Sequence, residues 1–309
     1  MHKFFSMYKF QPIVKTLIWG SESWQLSGVP GSVSVVCEGP AKGRSLDELL
    51  IEQHERLVGR RNYERYGNVF PLLIKFINAN LPLSVQVHPN DELARKRHNS
   101  FGKTEMWYVL HAEKDAYLYA GFNRLLDPVS YCSMVADGSI TDALAKHELS
   151  EGDVFFLPAG RVHSIGGGTT IAEIQQTSDI TYRIFDFNRL DKNGNPRELH
   201  TELAKDAINY EVYSDYRTHY LPCPNRPVEL ANCPYFTTSL LELNRPIHFD
   251  HSALDSFVIY MCLEDDCEFT DGEGEQVTLH AGQTLLVPAS NTKLELRPIG
   301  AAKLLEVHN

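Results

Sequence analysis

The segment LSVQVH, residues 83–88, alternates apolar and polar side chains along its whole length. Alternation with a period of two predicts a β-strand whose two faces differ in character. Ser84, Gln86 and His88 then share one face, and the three apolar residues share the other. A polar inner face and an apolar outer face are typical of a barrel whose lumen holds a polar ligand. The segment therefore favours a β-barrel with an occupied lumen.

Other short segments rich in Val, Ile, Phe, Tyr and Thr, bounded by Gly and Pro, also predict strands. They lie at 32–39, 105–110, 153–158, 170–176 and 181–187. Three stretches predict helices: the capping box Ser45–Glu48 with the residues after it, the short stretch 140–147, and the stretch that begins at Pro196. Many strands with few helices predict a mainly β sandwich or barrel with a few helical additions.

A weak internal repeat indicates that the barrel is duplicated. The phrase GDVFFLPA at 152–159 is echoed by GQTLLVPA at 282–289. Five residues beyond the proline, the first copy reaches His163, whereas the second reaches Lys293. The alternative is that both phrases are a common turn-strand-turn pattern.

From the repeat we predict two domains that divide near a proline-rich connection. The first, over 1–220, is a metal-bearing catalytic domain with helical segments. The second, over 221–309, is a metal-free domain of the same type.

Composition limits the possible partners. The chain has 309 residues, a formal net charge of -11 and six scattered cysteines without a C-x-x-C pair. The acidic charge argues against binding of nucleic acid, and the cysteine spacing against a disulfide framework or a structural zinc site. The N-terminus lacks the pattern of a signal peptide, and no apolar run is long enough to span a membrane. We therefore expect a cytoplasmic protein that acts on a small molecule.

Four residues form a candidate metal site: Gln86, His88, Glu105 and His163. Glu105 opens the strand 105–110, and His163 follows the turn after Pro158. Two imidazoles, a carboxylate and an amide oxygen suit Zn²⁺, Fe²⁺ or Mn²⁺ and leave a position for water or substrate. The chain has 13 histidines, so the spacing alone leaves metal binding open.

The longer segments that contain these residues resemble a known family. The run FPLLIKFINANLPLSVQVHPND from Phe70, then GKTEMWYVL, GDVFFLPAGRVHSIGGG and SDITYRIFDF, and the opening WGSESWQLS from Trp19 are similar to type I mannose-6-phosphate isomerase in its short bacterial form. The resemblance covers roughly residues 8 to 210. It implies a cupin-type β-barrel (jelly roll), one zinc ion per chain or another divalent metal, and interconversion of mannose 6-phosphate and fructose 6-phosphate by proton transfer through an enediolate.

The resemblance also implies roles for individual residues. Gln86, His88, Glu105 and His163 fall at the family's metal ligands. Arg183 falls at its catalytic arginine, Lys103 and Asp179 at positions for proton transfer or substrate orientation, and Lys75 and Ser84 where phosphate or sugar is bound. The phrase Asp186-Phe187-Asn188-Arg189 departs from the family pattern at the rim of the site.

Two other functions stay open at this point. Two histidines and one carboxylate are also the ligands of non-haem iron oxygenases. A cupin that binds sugar without turnover would keep the same residues. The residues do not distinguish Lys103 from Asp179 as the proton-transfer base, and they leave the oligomeric state unknown.

Overall fold

The structure is a computed structural model that describes residues 7–191 and 193–309. Strands make up 43% of the chain and helices 16%, so the prediction of a mainly β fold is confirmed. The described part of the chain has no helix that is both long and apolar enough to cross a membrane.

The strands follow in chain order. The first nine are β1 (Tyr8–Gln11), β2 (Ile13–Leu17), β3 (Gly20–Leu26), β4 (Gly28–Val29), β5 (Ser32–Val33), β6 (Val35–Val36), β7 (Leu72–Ala79), β8 (Val85–Val87) and β9 (Glu105–Ala112). The next seven are β10 (Tyr117–Phe122), β11 (Leu144–Glu148), β12 (Val154–Leu157), β13 (His163–Ile165), β14 (Thr169–Gln176), β15 (Tyr182–Phe185) and β16 (Arg217–Thr218). The last seven are β17 (Val228–Asn232), β18 (Thr237–Leu243), β19 (Ile247–Asp250), β20 (Val258–Asp271), β21 (Gln276–Leu279), β22 (Thr284–Val287) and β23 (Lys293–His308).

The α-helices are short, and together with one 3₁₀ turn at Ile140–Ala143 they complete the described secondary structure. They are α1 (Leu46–Gln53), α2 (Glu55–Val58), α3 (Arg60–Tyr66), α4 (Asp91–His98), α5 (Pro128–Asp137) and α6 (Thr201–Ala207). The sequence did not predict three of them, α3 to α5, whereas most of α2 lies in the stretch predicted to follow the capping box.

The three predicted helices have different outcomes. The capping box is confirmed, because Glu48 N donates to Ser45 Oγ at 3.2 Å and Ser45 N to Glu48 Oε2 at 2.8 Å. The helix over 140–147 is wrong beyond its first turn, since Leu144–Glu148 pairs with β10 instead. The third helix begins only at Thr201, because Pro196 forms an isolated bridge with Leu190.

The chain divides into two compact units that interleave along the sequence. The central unit comprises Val14–Trp24 and Leu73–Thr218. The C-terminal unit comprises the described residues up to Ile13, Gln25–Leu72 and His219–Asn309. The predicted division was into a metal-bearing domain over 1–220 and a metal-free domain over 221–309. This assignment stays a prediction.

The central unit contains two antiparallel sheets. One has the order β16-β12-β9-β14-β7-β3-β2 and the other β11-β10-β13-β8-β15. Apolar side chains of both sheets, among them Trp107, Phe155, Leu118 and Ile165, form one buried cluster. This cluster is the apolar part of the barrel interior.

The alternation in LSVQVH corresponds to strand β8. Its apolar residues Val85 and Val87 pack in a separate buried cluster with Tyr131 of α5 and Ala204 of α6. Helices therefore cover the outer face of this strand, and the polar residues lie on the face towards the barrel interior.

The two copies of the repeat have the same local structure. Gly152 N donates to Val109 O and Gly282 N to Cys262 O, both at 2.8 Å, and each glycine has a positive φ, 86° and 81°. β12 pairs with the start of β9, as β22 pairs with the start of β20. The prediction of a duplicated barrel module agrees with this geometry.

The interior of the C-terminal unit differs from that of the central unit at the metal positions. In the register of the strand pairs, Val258 takes the place of Glu105. Lys293 lies five residues beyond Pro288, at the place of His163 in the first copy. It is exposed, and its neighbour Leu294 is buried in the core instead. Among the described residues the interior of this unit is therefore apolar where the first copy has candidate ligands.

One buried carboxyl group remains in the C-terminal unit. Glu306 is opposite Tyr260 in the β20–β23 ladder, and Tyr260 Oη donates to Glu306 Oε2 at 2.8 Å. His251 Nε2 lies 3.1 Å from the same hydroxyl. No described cation forms an ion pair with Glu306, so burial raises the pKa of its carboxyl to about 7.

The folded state should lose stability as Glu306 ionises. Its folded pKa lies above the ordinary 4.5, so the protonated carboxyl stabilises the fold below about pH 4.5, and this contribution disappears as the pH rises to about 7. At about 1.4 kcal/mol per pKa unit, the loss is on the order of 3 kcal/mol. We expect Glu306→Gln to raise the melting temperature at pH 8 but not at pH 4.5, as measured by thermal unfolding.

The exposed Glu273→Gln is the matched control and should leave the wild-type pH profile unchanged. Equal pH profiles for wild type and Glu306→Gln would show that folding does not shift the pKa of Glu306, which would contradict the prediction.

Candidate metal and substrate site

Three predicted ligands meet in the interior of the central unit. His88 follows β8, Glu105 begins β9 and His163 begins β13, and all three are at most 1% exposed. Glu105 Oε1 lies 3.2 Å from His163 Nε2, and Glu105 Oε2 lies 3.6 Å from His88 Nε2. One potential ligand atom from each residue lies within 4.8 Å of the other two, which suits three ligands of a single ion.

Backbone carbonyls fix the tautomer of both imidazoles. His88 Nδ1 donates to Ile180 O and His163 Nδ1 to Arg161 O, each at 2.8 Å. Because a carbonyl only accepts, each Nδ1 must hold the proton, and each Nε2 presents a lone pair. Metal-binding histidines are oriented in this way by their second nitrogen.

The resulting group has more acceptors than donors. Glu105 Oε1 and His163 Nε2 face each other, are buried and have no hydrogen-bond donor among the described residues. Burial lowers the pKa of His163 to about 3 and that of His88 well below its usual value, so neither ring supplies a proton. Burial raises the pKa of Glu105, which Lys103 counteracts only in part. The donor set therefore fits a divalent cation.

Gln86 is the fourth predicted ligand and is placed beside this group. It is opposite His163 in the β8–β13 pair and opposite Arg183 in the β8–β15 pair. Directly opposed residues of antiparallel strands point to the same face, so all three side chains share the interior face. Gln86 is half-buried, and its role as a ligand stays a prediction.

The two candidates for proton transfer are placed differently. Lys103 is buried, with Nζ 2.8 Å from Glu105 Oε2 and 3.1 Å from His88 Nε2. Asp179 is exposed between β14 and β15 and has no hydrogen bond or ion pair with any described residue. It precedes Ile180, whose carbonyl binds His88. The structure thus brings Lys103, but not Asp179, into contact with the metal-type residues.

The two predicted substrate-binding residues are both buried. The ammonium of Lys75 lies 3.0 Å from Glu173 Oε1 and 3.6 Å from Glu22 Oε2. Burial alone would lower the pKa of Lys75, but these carboxylates raise it above its usual value. Contact of Lys75 with substrate stays a prediction, since two carboxylates already bind its charge. Ser84 immediately precedes β8 and is 5% exposed.

A cationic cluster lies beside Ser84 and Arg183. Arg189 and Arg197 both bind the Asp186 carboxylate, which holds the pKa of Asp186 below its usual value against the effect of burial. Arg189 also donates to the carbonyl of Pro82, two residues before Ser84. Arg183 Nη1 donates to Glu198 O at 2.8 Å. The three guanidinium groups interact with two carboxylates, Asp186 and the exposed Glu198, so the region keeps an excess of positive charge that suits an anion.

The sequence analysis did not single out two polar residues on the interior face of β14. Glu173 and Gln175 are opposite Trp107 and Glu105. Glu173 Oε2 accepts from Trp107 Nε1 at 2.8 Å, and the Trp107 ring packs edge-on against His163. Alternating polar residues in TIAEIQQ are the same signal as in LSVQVH and could have indicated them.

Comparison with known proteins agrees with this geometry. Residues 11–115 match the sequence model for the catalytic domain of type I phosphomannose isomerase. A mannose-6-phosphate isomerase of Streptococcus mutans is 35% identical over 268 residues, which cover 86% of this chain and 82% of the relative. Mannose-6-phosphate isomerase ManA of Bacillus subtilis is 35% identical over 254 residues, 76% of this chain and 79% of the relative.

Solved structures show the same fold over the whole chain. The crystal structure of the mannose 6-phosphate isomerase from Bacillus subtilis has a TM-score of 0.88 and 26% identity, and the match covers 99% of this chain and 100% of that one. A mannosephosphate isomerase structure from Archaeoglobus fulgidus, at 20% identity and a TM-score of 0.77, shows the fold alone. With a relative 35% identical over most of both chains, the protein belongs to the type I mannose-6-phosphate isomerase family and is an isomerase.

Proposed function

We propose that this enzyme interconverts mannose 6-phosphate and fructose 6-phosphate with a divalent metal, most simply one zinc ion, and proceeds through an enediolate. The observation on which the proposal rests is the buried group of His88, Glu105 and His163 inside a chain of this family. The names of the relatives support the substrate, and the excess of buried acceptors supports the metal.

The metal would be held by Gln86, His88, Glu105 and His163. When bound, it supplies Lewis-acid stabilisation of the negative charge that develops on the substrate oxygens. The carbonyls of Ile180 and Arg161 hold the proton of each ring on Nδ1, so each Nε2 keeps its lone pair, although that of His88 also lies 3.1 Å from Lys103 Nζ.

Aldose–ketose isomerisation moves a proton between C1 and C2 of the sugar. We assign this transfer to Lys103, because its Nζ lies within hydrogen-bond distance of two metal-type residues. Asp179 would orient the substrate or Lys103 from the adjacent loop. Its carboxylate is exposed, and its charge acts on Lys15 without a hydrogen bond to any described residue, so it can contact a ligand.

The phosphate would bind at the cationic cluster of Arg183, Arg189 and Arg197, with Ser84 as a hydroxyl donor. Arg183 is opposite Gln86, so its fixed positive charge is positioned to stabilise the enediolate as well. The excess of guanidinium over carboxylate groups explains how a chain with a net charge of -11 can attract an anion.

We further propose that catalysis belongs to the domain 1–220 and that 221–309 forms the metal-free counterpart. All proposed site residues fall in the first range, and apolar Val258 and Leu294 in the second support the assignment. A cytoplasmic location is supported by the six free cysteines, which suit a reducing compartment.

The decisive experiment measures turnover. Zinc-loaded protein should convert mannose 6-phosphate to fructose 6-phosphate in a coupled assay, and treatment with a chelator should remove this activity until zinc is added back. Oxygen uptake should be absent. Binding of sugar phosphate without conversion would contradict the proposal and favour a non-catalytic cupin.

Metal binding can be tested without turnover. We expect about one zinc per wild-type chain, and Glu105→Ala or His163→Ala should weaken zinc binding by more than about 100-fold because each removes a ligand. Competition with a fluorescent chelator measures this affinity. The control is His111→Ala, since His111 is an exposed histidine that also contacts a glutamate, Glu151. Wild-type affinity in the Glu105→Ala variant would rule out the ligand assignment.

Arg183 should affect turnover but not metal content. Arg183→Ala removes a fixed positive charge from the interior face, so kcat/KM should fall by about 10²- to 10³-fold while zinc stoichiometry stays the same. The exposed Arg124→Ala, matched in residue type, should behave as wild type. An unchanged kcat/KM in Arg183→Ala would exclude its catalytic role.

A further inference from the structure

Gln175 is a fully buried amide on the interior face of the central unit. It is 0% exposed and is opposite Glu105 in the β9–β14 ladder. Opposed residues point to the same face, with Cβ atoms about 5 Å apart. Its side chain therefore enters the site beside a proposed metal ligand, although no role is assigned to it so far.

The orientation of this amide is fixed by its nitrogen. Gln175 Nε2 donates to two backbone carbonyls, Gln176 O at 2.9 Å and Ser178 O. Both partners can only accept, so the nitrogen and oxygen of the amide cannot be exchanged. The oxygen must point away from these carbonyls.

Gln175 Oε1 has no donor among the described residues, although it is buried. A buried carbonyl oxygen without a donor is unfavourable, so such an atom needs a donor from a ligand or a water. The nearby side chains of Glu105 and His163 offer lone pairs and cannot satisfy it. A ligand that brings its own hydroxyl donor can.

We infer that Gln175 Oε1 is a substrate-recognition group that accepts a hydrogen bond from a hydroxyl of the sugar phosphate. The inference rests on the proposed function, since it takes the same substrate class and the same site. Lys103 and the arginines supply donors and positive charge, whereas Gln175 supplies a neutral acceptor. A sugar that carries several hydroxyl groups requires such an acceptor.

The alternative is that Gln175 only stabilises the loop after β14. Its amide nitrogen binds Gln176 and Ser178, and the same loop contains Ile180, whose carbonyl orients His88. Loss of this role would weaken all ligands equally and would lower zinc content. Loss of the acceptor would affect only ligands that carry the recognised hydroxyl, which separates the two roles.

The experiment measures dissociation constants by calorimetry for mannose 6-phosphate and for its 3-deoxy, 4-deoxy and 1,5-anhydro derivatives. In wild type, removal of one hydroxyl should weaken binding at least about tenfold, because the buried acceptor is left unpaired. In Gln175→Met, the same removal should cost less than about threefold. Zinc content and melting temperature are measured for each variant.

Two further variants complete the design. Gln175→Glu keeps an oxygen acceptor but loses the amide donor. If Gln175 recognises a hydroxyl, this variant should retain the discrimination between ligands. If Gln175 only stabilises the loop, this variant should behave as Gln175→Met does. If Gln175→Met does not fold, Gln175→Glu still tests the inference. The control Gln53→Met removes another buried glutamine, one that donates to Tyr8 Oη, and should leave the discrimination at wild-type values.

The inference is overturned if no deoxy derivative binds wild type more than about threefold more weakly, or if Gln175→Met discriminates as wild type does. Sugar phosphate that binds but is not converted would contradict the proposed function alone, because the hydroxyl discrimination is read from binding. Wild type that binds no sugar phosphate would contradict both.

Discussion

The site depends on one electrostatic constraint, a fully buried carboxylate faced by two imidazole lone pairs. Glu105 cannot receive a proton from His88 or His163, because the Nδ1–H of each ring is bound by a backbone carbonyl. Lys103 supplies one positive charge to the group. Buried acceptors in excess of donors are unfavourable without a cation, so the arrangement is complementary to a metal ion and to little else.

A second set of charges lies beside this group and consists of one lysine between two carboxylates. The positive charge of Lys75, between Glu173 and Glu22, keeps the pKa of Glu173 low although burial acts in the opposite direction. Glu173 in turn binds the indole nitrogen of Trp107, which packs against His163. The ion pairs of Lys75 are therefore linked through Glu173 to an aromatic neighbour of His163. This link does not depend on any contact between Lys75 and phosphate.

The C-terminal unit shows that the fold does not require this chemistry. It repeats the strand pairing and the glycine turns of the central unit, yet Val258 and Leu294 fill the interior. An aromatic donor and a carboxyl group persist as Tyr260 and Glu306, in the register of Trp107 and Glu173. Without a lysine beside it, the carboxyl becomes a weak acid with a raised pKa. One backbone thus supports either a charged site or an apolar core, depending on a few interior residues.

The same comparison explains what the sequence could and could not predict. Alternation revealed the interior face of β8, because helices cover its other face with apolar contacts. The alternation in β14 was overlooked. Nearly every residue of this strand is buried, and the polar residues Glu173 and Gln175 have apolar neighbours in the sequence. Family resemblance predicted the ligand residues, but it said nothing of the carbonyl partners that set the histidine tautomers, since any residue type supplies a backbone carbonyl.

The count along the repeat ends one residue before the buried position of the second copy. It reaches Lys293, which begins β23 as His163 begins β13, but the buried residue is Leu294. The turns before these strands differ, because Gly160 has a positive φ and Ser290, at the same place in the second copy, does not. Gly160 has a φ of 92°, and its N donates to His88 O at 2.9 Å. A side chain there would place Cβ 2.9 Å from the Ala207 carbonyl oxygen. The glycine thus lets the loop pack against the end of α6 while its N–H binds the carbonyl of His88.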